Sequence, residues 1–101
     1  MQELYTQKEV KVDLEAGQGP DYVFEPNYVL RTLQETKEYI AKNKHLPEIP
    51  SAREMETDGI EIGDMNMRLL KKIEELTLYQ IELLERLEKV EKEIYKLKNG
   101  K

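Results

Sequence analysis

The sequence predicts an α+β chain. A small head with short strands and two short helices precedes a long C-terminal helix that forms a parallel coiled coil, with three strands favoured and two next. Three observations carry this prediction. An apolar heptad stripe runs over residues 69–97. Two Ser/Thr-x-x-Glu boxes each open a short helical run, the pattern in which the hydroxyl and the carboxylate cap each other's backbone N–H. Val10, Val12 and Leu14 alternate with Lys11 and Asp13, the period of a half-buried strand. The units expected are an N-terminal strand and joint over 1–20, the head over 21–63 and the coiled-coil helix over 64–101.

In chain order, the strand at 10–14 ends at Gly17-Gln18-Gly19-Pro20, a loop or flexible joint. Asp21-Tyr22-Val23-Phe24-Glu25-Pro26 is a compact aromatic run, and Pro26 keeps Glu25 extended. Tyr28, Val29 and Leu30 are expected anchors of the head. Thr32-Leu33-Gln34-Glu35 starts a helix over 33–42 that ends at Asn43 and Lys44. His45-Leu46-Pro47-Glu48-Ile49-Pro50 is barred from a helix by its two prolines and should bury Leu46 and Ile49. Ser51-Ala52-Arg53-Glu54 starts a second short helix ending near Thr57. Asp58-Gly59 is a turn in which Gly59 takes positive φ. Ile60, Glu61 and Ile62 are expected to be extended, with Asp64 as N-cap of the long helix.

Within the stripe, Ile73, Gln80, Leu87 and Ile94 fall at heptad position a. Leu69, Leu76, Leu83, Val90 and Leu97 fall at d. A 3.5-residue repeat stays on one seam only if helices wind around each other left-handedly. The 68 residues ahead of the stripe are too few to cover it, so a second copy of the chain is the simplest partner. The competing reading is one amphipathic helix packed on its own domain. Leu70 and Leu84 at e, and Tyr79 at g, widen the apolar face toward three strands. Gln80 is a polar a residue of the kind that fixes register or copy number. Arg86 at g and Glu91 at e flank Leu87 and Val90, resembling the Arg-h-x-x-h-Glu signature of short parallel trimers. The expected oligomer interface is thus Leu69, Ile73, Leu76, Gln80, Leu83, Leu87, Val90, Ile94 and Leu97, with Arg86 and Glu91.

Charge is unevenly placed. The net charge is −5, yet residues 69–98 carry seven basic and seven acidic side chains. The acidity lies in residues 1–68, with eight basic against fourteen acidic. No basic patch forms, which argues against nucleic acid and anionic membranes as partners. There is no cysteine, which excludes disulfides and thiolate metal sites. No signal peptide or membrane span is evident.

Catalytic chemistry finds little support. His45 and Ser51 are the only residues of their kinds, with Asp58 nearby, but Ser51 is accounted for as a cap and His45 as a partner of a backbone carbonyl. One histidine and no cysteine argue against a zinc site, unless His45 meets its symmetry mates on a trimer axis. No catalytic residue, metal or cofactor is assigned. Met55, Met65 and Met67 read as gap-filling core. Tyr22, Phe24 and Tyr28 read as core or inter-subunit anchors and, secondarily, as a candidate ligand patch for a glycan or receptor.

Three further stretches occur in a telling order. They are Asp21-Tyr22-Val23-Phe24-Glu25-Pro26-Asn27-Tyr28, His45-Leu46-Pro47-Glu48-Ile49-Pro50-Ser51-Ala52, and Gly59-Ile60-Glu61-Ile62-Gly63-Asp64-Met65-Asn66. With the helix start at 69–79, they resemble the C-terminal module of large Bacteroidetes surface and phage tail-fibre-like proteins, over roughly residues 10–84. By position that module is similar to the C-terminal chaperone domains of tail spikes, which trimerise a fibre in register. The self-cleaving Ser/Asp motif of the endosialidase-type members has no match here. The resemblance implies a non-enzymatic, chaperone-like oligomerisation module that trimerises and registers the end of an upstream fibre or surface protein. Its location would be a virion tail fibre or the bacterial cell surface. The alternative function is a receptor- or glycan-binding tip displayed on the coil.

Overall fold

The computed structural model describes Lys11 and residues 19–100. They form a 3-10 helix, Pro20–Phe24, and three α-helices: α1 (Leu33–Asn43), α2 (Ala52–Asp58) and α3 (Ile62–Lys98). With 37 residues, α3 is about 55 Å long. The molecule extends 72 Å along its long axis, and its radius of gyration is 20.2 Å, against about 13 Å for a compact chain of this size.

The α+β class does not hold: among the described residues there is no strand. The alternating run Val10, Val12, Leu14 lies outside the described residues. The aromatic run forms a 3-10 helix because Pro20 at its first position fixes a helical φ. Glu25 then turns extended ahead of Pro26, as its position requires. Ile60 and Glu61 are extended but gain no paired strand, and Ile62 is already helical. A strand without a neighbour leaves its backbone groups to water, so nothing holds such short pieces in a sheet.

The short helices follow their local signals. Both capping boxes are complete: Thr32 accepts from the Glu35 amide and Ser51 from the Glu54 amide, while each glutamate accepts from the cap backbone in return. These bonds hold the Glu35 and Glu54 carboxyls below the usual carboxylate range. After α1, Lys44 turns left-handed and its amide reaches Ile40. Gly59 ends α2 at a positive φ of 76°, with its amide on the Met55 carbonyl. The long helix starts three residues earlier than an N-cap at Asp64 predicts. Its N-cap is Glu61, with no side-chain cap bond. Asp64 instead sits in the first turn, paired with Arg68 at 2.9 Å, where a carboxylate still favours the helix dipole.

The head has a very small interior. Among the described residues Val23, at 1% exposure, is the buried aliphatic side chain, and Pro20 and Pro47 are buried as well. The expected burial of Leu46 fails: Pro47 is inside and Leu46 is exposed. Tyr22 and Phe24 are exposed rather than core. Met55, Met65 and Met67 are half-buried. Polar clasps therefore do much of the work of holding the head on α3.

Candidate functional site

Those clasps decide which face of α3 is free. Residues 46–49 form a tight turn, with the Ile49 amide donating to the Leu46 carbonyl at 3.2 Å. Pro47 occupies its second position and Glu48, at φ 69°, its third. A positive φ at that position ordinarily calls for glycine. Glu48 is held there by three bonds to α3. Its carboxylate accepts from Lys71 at 2.7 Å and Lys72 at 2.9 Å, and its carbonyl accepts from Arg68 at 2.6 Å. Burial opposes charge on Glu48, but the two ammonium groups outweigh it and hold its carboxyl low. Lys71 is likewise penalised by burial and yet raised, by the bond to Glu48 and its charge.

A second clasp lies alongside. Lys72 also bonds Glu75 at 3.1 Å, and Tyr28 donates its hydroxyl to the same Glu75. Burial, then the Glu75 bond and charge, push the Tyr28 phenol up to about 12. Tyr79 donates to the Arg31 carbonyl and touches the Thr36 hydroxyl at 3.5 Å. On the other side, the Lys71 ammonium stands 5.5 Å from the Tyr22 ring centre. Tyr22 and Tyr28 pack with ring centres 5.9 Å apart.

Glu74 faces the 3-10 helix. It is 8% exposed, and its Oε1 has no hydrogen-bond partner. Burial, together with the neighbouring Asp21 carboxyl, raises its carboxyl above the usual range.

In heptad terms the gripping residues are Lys71 at f, Lys72 and Tyr79 at g, Glu74 at b and Glu75 at c. Viewed down the axis, positions run a, e, b, f, c, g, d around the helix, because each residue advances by about 100°. The head thus covers one continuous sector from b to g. It leaves d, a and e bare.

The seam residues are exposed accordingly. Leu69, Ile73, Leu76, Leu83, Leu87, Val90, Ile94 and Leu97 range from 45% to 82% exposure, and Gln80 is exposed with them. Leu70 and Leu84 at e are exposed too. Of the seam, Leu76 borders the head, lining a groove with Leu33 and Ile40, and is still 59% exposed. Packing of the amphipathic helix on its own domain does occur, but through its polar back.

Two sequence expectations change here. Tyr79 does not widen the apolar face, because its hydroxyl is committed to the head. The face is widened on the other flank, by Leu70, Leu84 and also Ile81 at b, which is 45% exposed. Ile81 is off the heptad seam, and only the end of the head's footprint marks it as open surface. Arg86 pairs only loosely within its chain, at 3.9 Å from Glu82, which leaves it available across an interface.

The other candidates are occupied locally. His45 Nδ1 lies 2.9 Å from the Leu46 carbonyl, with its ring edge-on to Tyr39 at 5.6 Å. The Ser51 hydroxyl is a cap. Tyr28 of the aromatic patch is engaged with Glu75, leaving Tyr22 and Phe24 as its exposed members. Among the described residues no helix is long and apolar enough to cross a membrane. No family model, curated protein or solved structure matches the chain.

Proposed function

We propose that this chain is a homo-oligomerisation module whose α3 helices associate in parallel, three to a bundle, and bring three heads into register at one end. One observation carries the reading: the head grips the polar back of α3 and leaves the whole d–a–e sector bare over residues 69–97. Covering a half-exposed aliphatic side chain recovers about 1 kcal/mol, roughly half its full transfer value. Eight such side chains lie on each copy. A head whose described residues bury one aliphatic side chain, Val23, has little stability of its own, so association is also where the fold gains its core.

Three strands are favoured over two by the width of the apolar face, by Gln80 at a and by Arg86 and Glu91 at g and e. The proposed role, by the resemblance noted above, is to register the C-terminal end of a fibre or surface protein. Strands entering such a bundle would be aligned and at high effective concentration.

Light scattering after size exclusion, across a dilution series, tests the reading. A mass of three chains, stable on dilution, is expected. A monomer overturns it.

A further inference from the structure

Among the described residues two apolar surfaces are exposed without a partner: the outer edge of the head and the e flank of α3. In a parallel, in-register coil, the g side chain of one helix faces the e side chain five residues on in its neighbour. That rule sets Arg86 against Glu91 and Glu93 against Lys98 of the next copy. Both are opposite-charge pairs, so the charge pattern selects the parallel, in-register arrangement. One heptad earlier, the same rule sets Tyr79 against Leu84.

Tyr79 is where the head is fastened. Beside it lies an apolar groove of about 350 Å³, lined in part by Val29, Leu33, Ile40, Leu76 and Tyr79. Val29, Leu33 and Ile40 are all exposed. Leu76 belongs both to this groove and to the seam, so the two surfaces are continuous. A neighbouring helix lying in the seam passes the groove with its e flank. At that level the flank presents Ile81 and Leu84, 45% and 53% exposed, just beyond the footprint of its own head.

We infer that each head docks on the next copy of the chain: Ile81 and Leu84 of one copy seat in the groove between α1 and α3 of its neighbour. The inference rests on the parallel homo-oligomer proposed above. The contact is heterologous and closes after a full turn of the bundle. The heads are then interlocked, not merely tethered, and each completes its core only when its neighbour is in register. Head folding becomes a readout of correct strand alignment. The C-terminal seam, Leu87 to Leu97, holds the copies together without this contact.

The test is Ile81→Glu, read by light scattering and by hydrogen exchange of the α1 amides. The expected result is an unchanged oligomer mass with α1 amides exchanging at least about tenfold faster, the factor that corresponds to losing one good apolar contact. A second variant, Leu33→Cys with Leu84→Cys, is read with a bismaleimide cross-linker. The chain has no native cysteine. A covalent ladder up to the full oligomer is expected, and either single variant should stay at one chain. An intact oligomer with unchanged α1 exchange and no ladder overturns the interlock but leaves the seam standing. Loss of the oligomer in Ile81→Glu overturns it as well, by moving Ile81 into the seam. A monomeric native chain removes both readings together.

Discussion

Leu83→Asp is the most direct perturbation of the seam. Leu83 lies at d, near the middle of the stripe, and is 49% exposed in the single chain. Its substitution removes about 1 kcal/mol of association burial per copy. It also places a carboxylate in every strand at the same level. Each carboxylate buried without a partner costs several kcal/mol, and their mutual repulsion adds to that. Three copies together lose on the order of 10 kcal/mol or more, with every 1.4 kcal/mol a factor of ten in the equilibrium constant. No clasp between head and helix uses Leu83, so α1 and α2 should keep their own contacts. The assay is mass by light scattering across a dilution series. The control is Glu85→Gln, at the outward f position, which should leave the mass unchanged. A Leu83→Asp chain that keeps the native mass refutes the seam.

Other outcomes follow from the clasps on the back of α3. Glu48→Ala removes two ion pairs, each worth roughly 0.5 kcal/mol after screening of its half-exposed carboxylate, and leaves a left-handed φ on a residue with a Cβ. Glu48→Gly loses the same pairs but relieves about 1 kcal/mol of backbone cost, so thermal melts should rank Glu48→Gly above Glu48→Ala; the reverse order would mean that the turn is not strained. Because the Glu48 carboxyl is held low in the fold, its contribution is complete above the usual carboxylate range and is lost as pH falls through the lowered value. Glu74 has the opposite sign. Its raised carboxyl favours the fold below the usual range and disfavours it as pH rises through the raised value. Glu74→Gln should therefore stabilise the chain at neutral pH by about 1 kcal/mol, with the gain fading in acid, as denaturant melts at two pH values would show. The Tyr28 phenol, raised from 10.0 to about 12, contributes fully below pH 10.0 and loses that contribution as pH rises to about 12. Phenolate absorbance should show a late-titrating component that disappears in Tyr28→Phe.

What was legible in the sequence was local. The capping boxes at Thr32 and Ser51, the Gly59 turn and the heptad period each depend on residues within one or two turns of each other. Helix boundaries follow from such short-range bonds, so α1 and α2 match their predicted spans to within a residue. The start of α3 was misplaced because Asp64 is as useful inside the first turn, bonded to Arg68, as it is at the cap. The extended piece expected at 60–62 gained no sheet for a related reason: Ile62 is already helical, and a sheet also needs a second strand, which no property of one segment supplies.

The sequence by itself determined that one face of the C-terminal helix is apolar along its length, because a 3.5-residue period is written into the order of residues. Only the tertiary structure decided whether that face is consumed or left open. The contacts that settle it join residues far apart in the chain, such as Tyr28 to Glu75 and Arg31 to Tyr79. Glutamates and lysines at f, g, b and c read as a solvated surface, and most of such a surface is. Here a few of them bind a turn strained at Glu48 and a phenol. Those bonds turn the polar side of α3 into the head's docking site and leave the apolar side exposed.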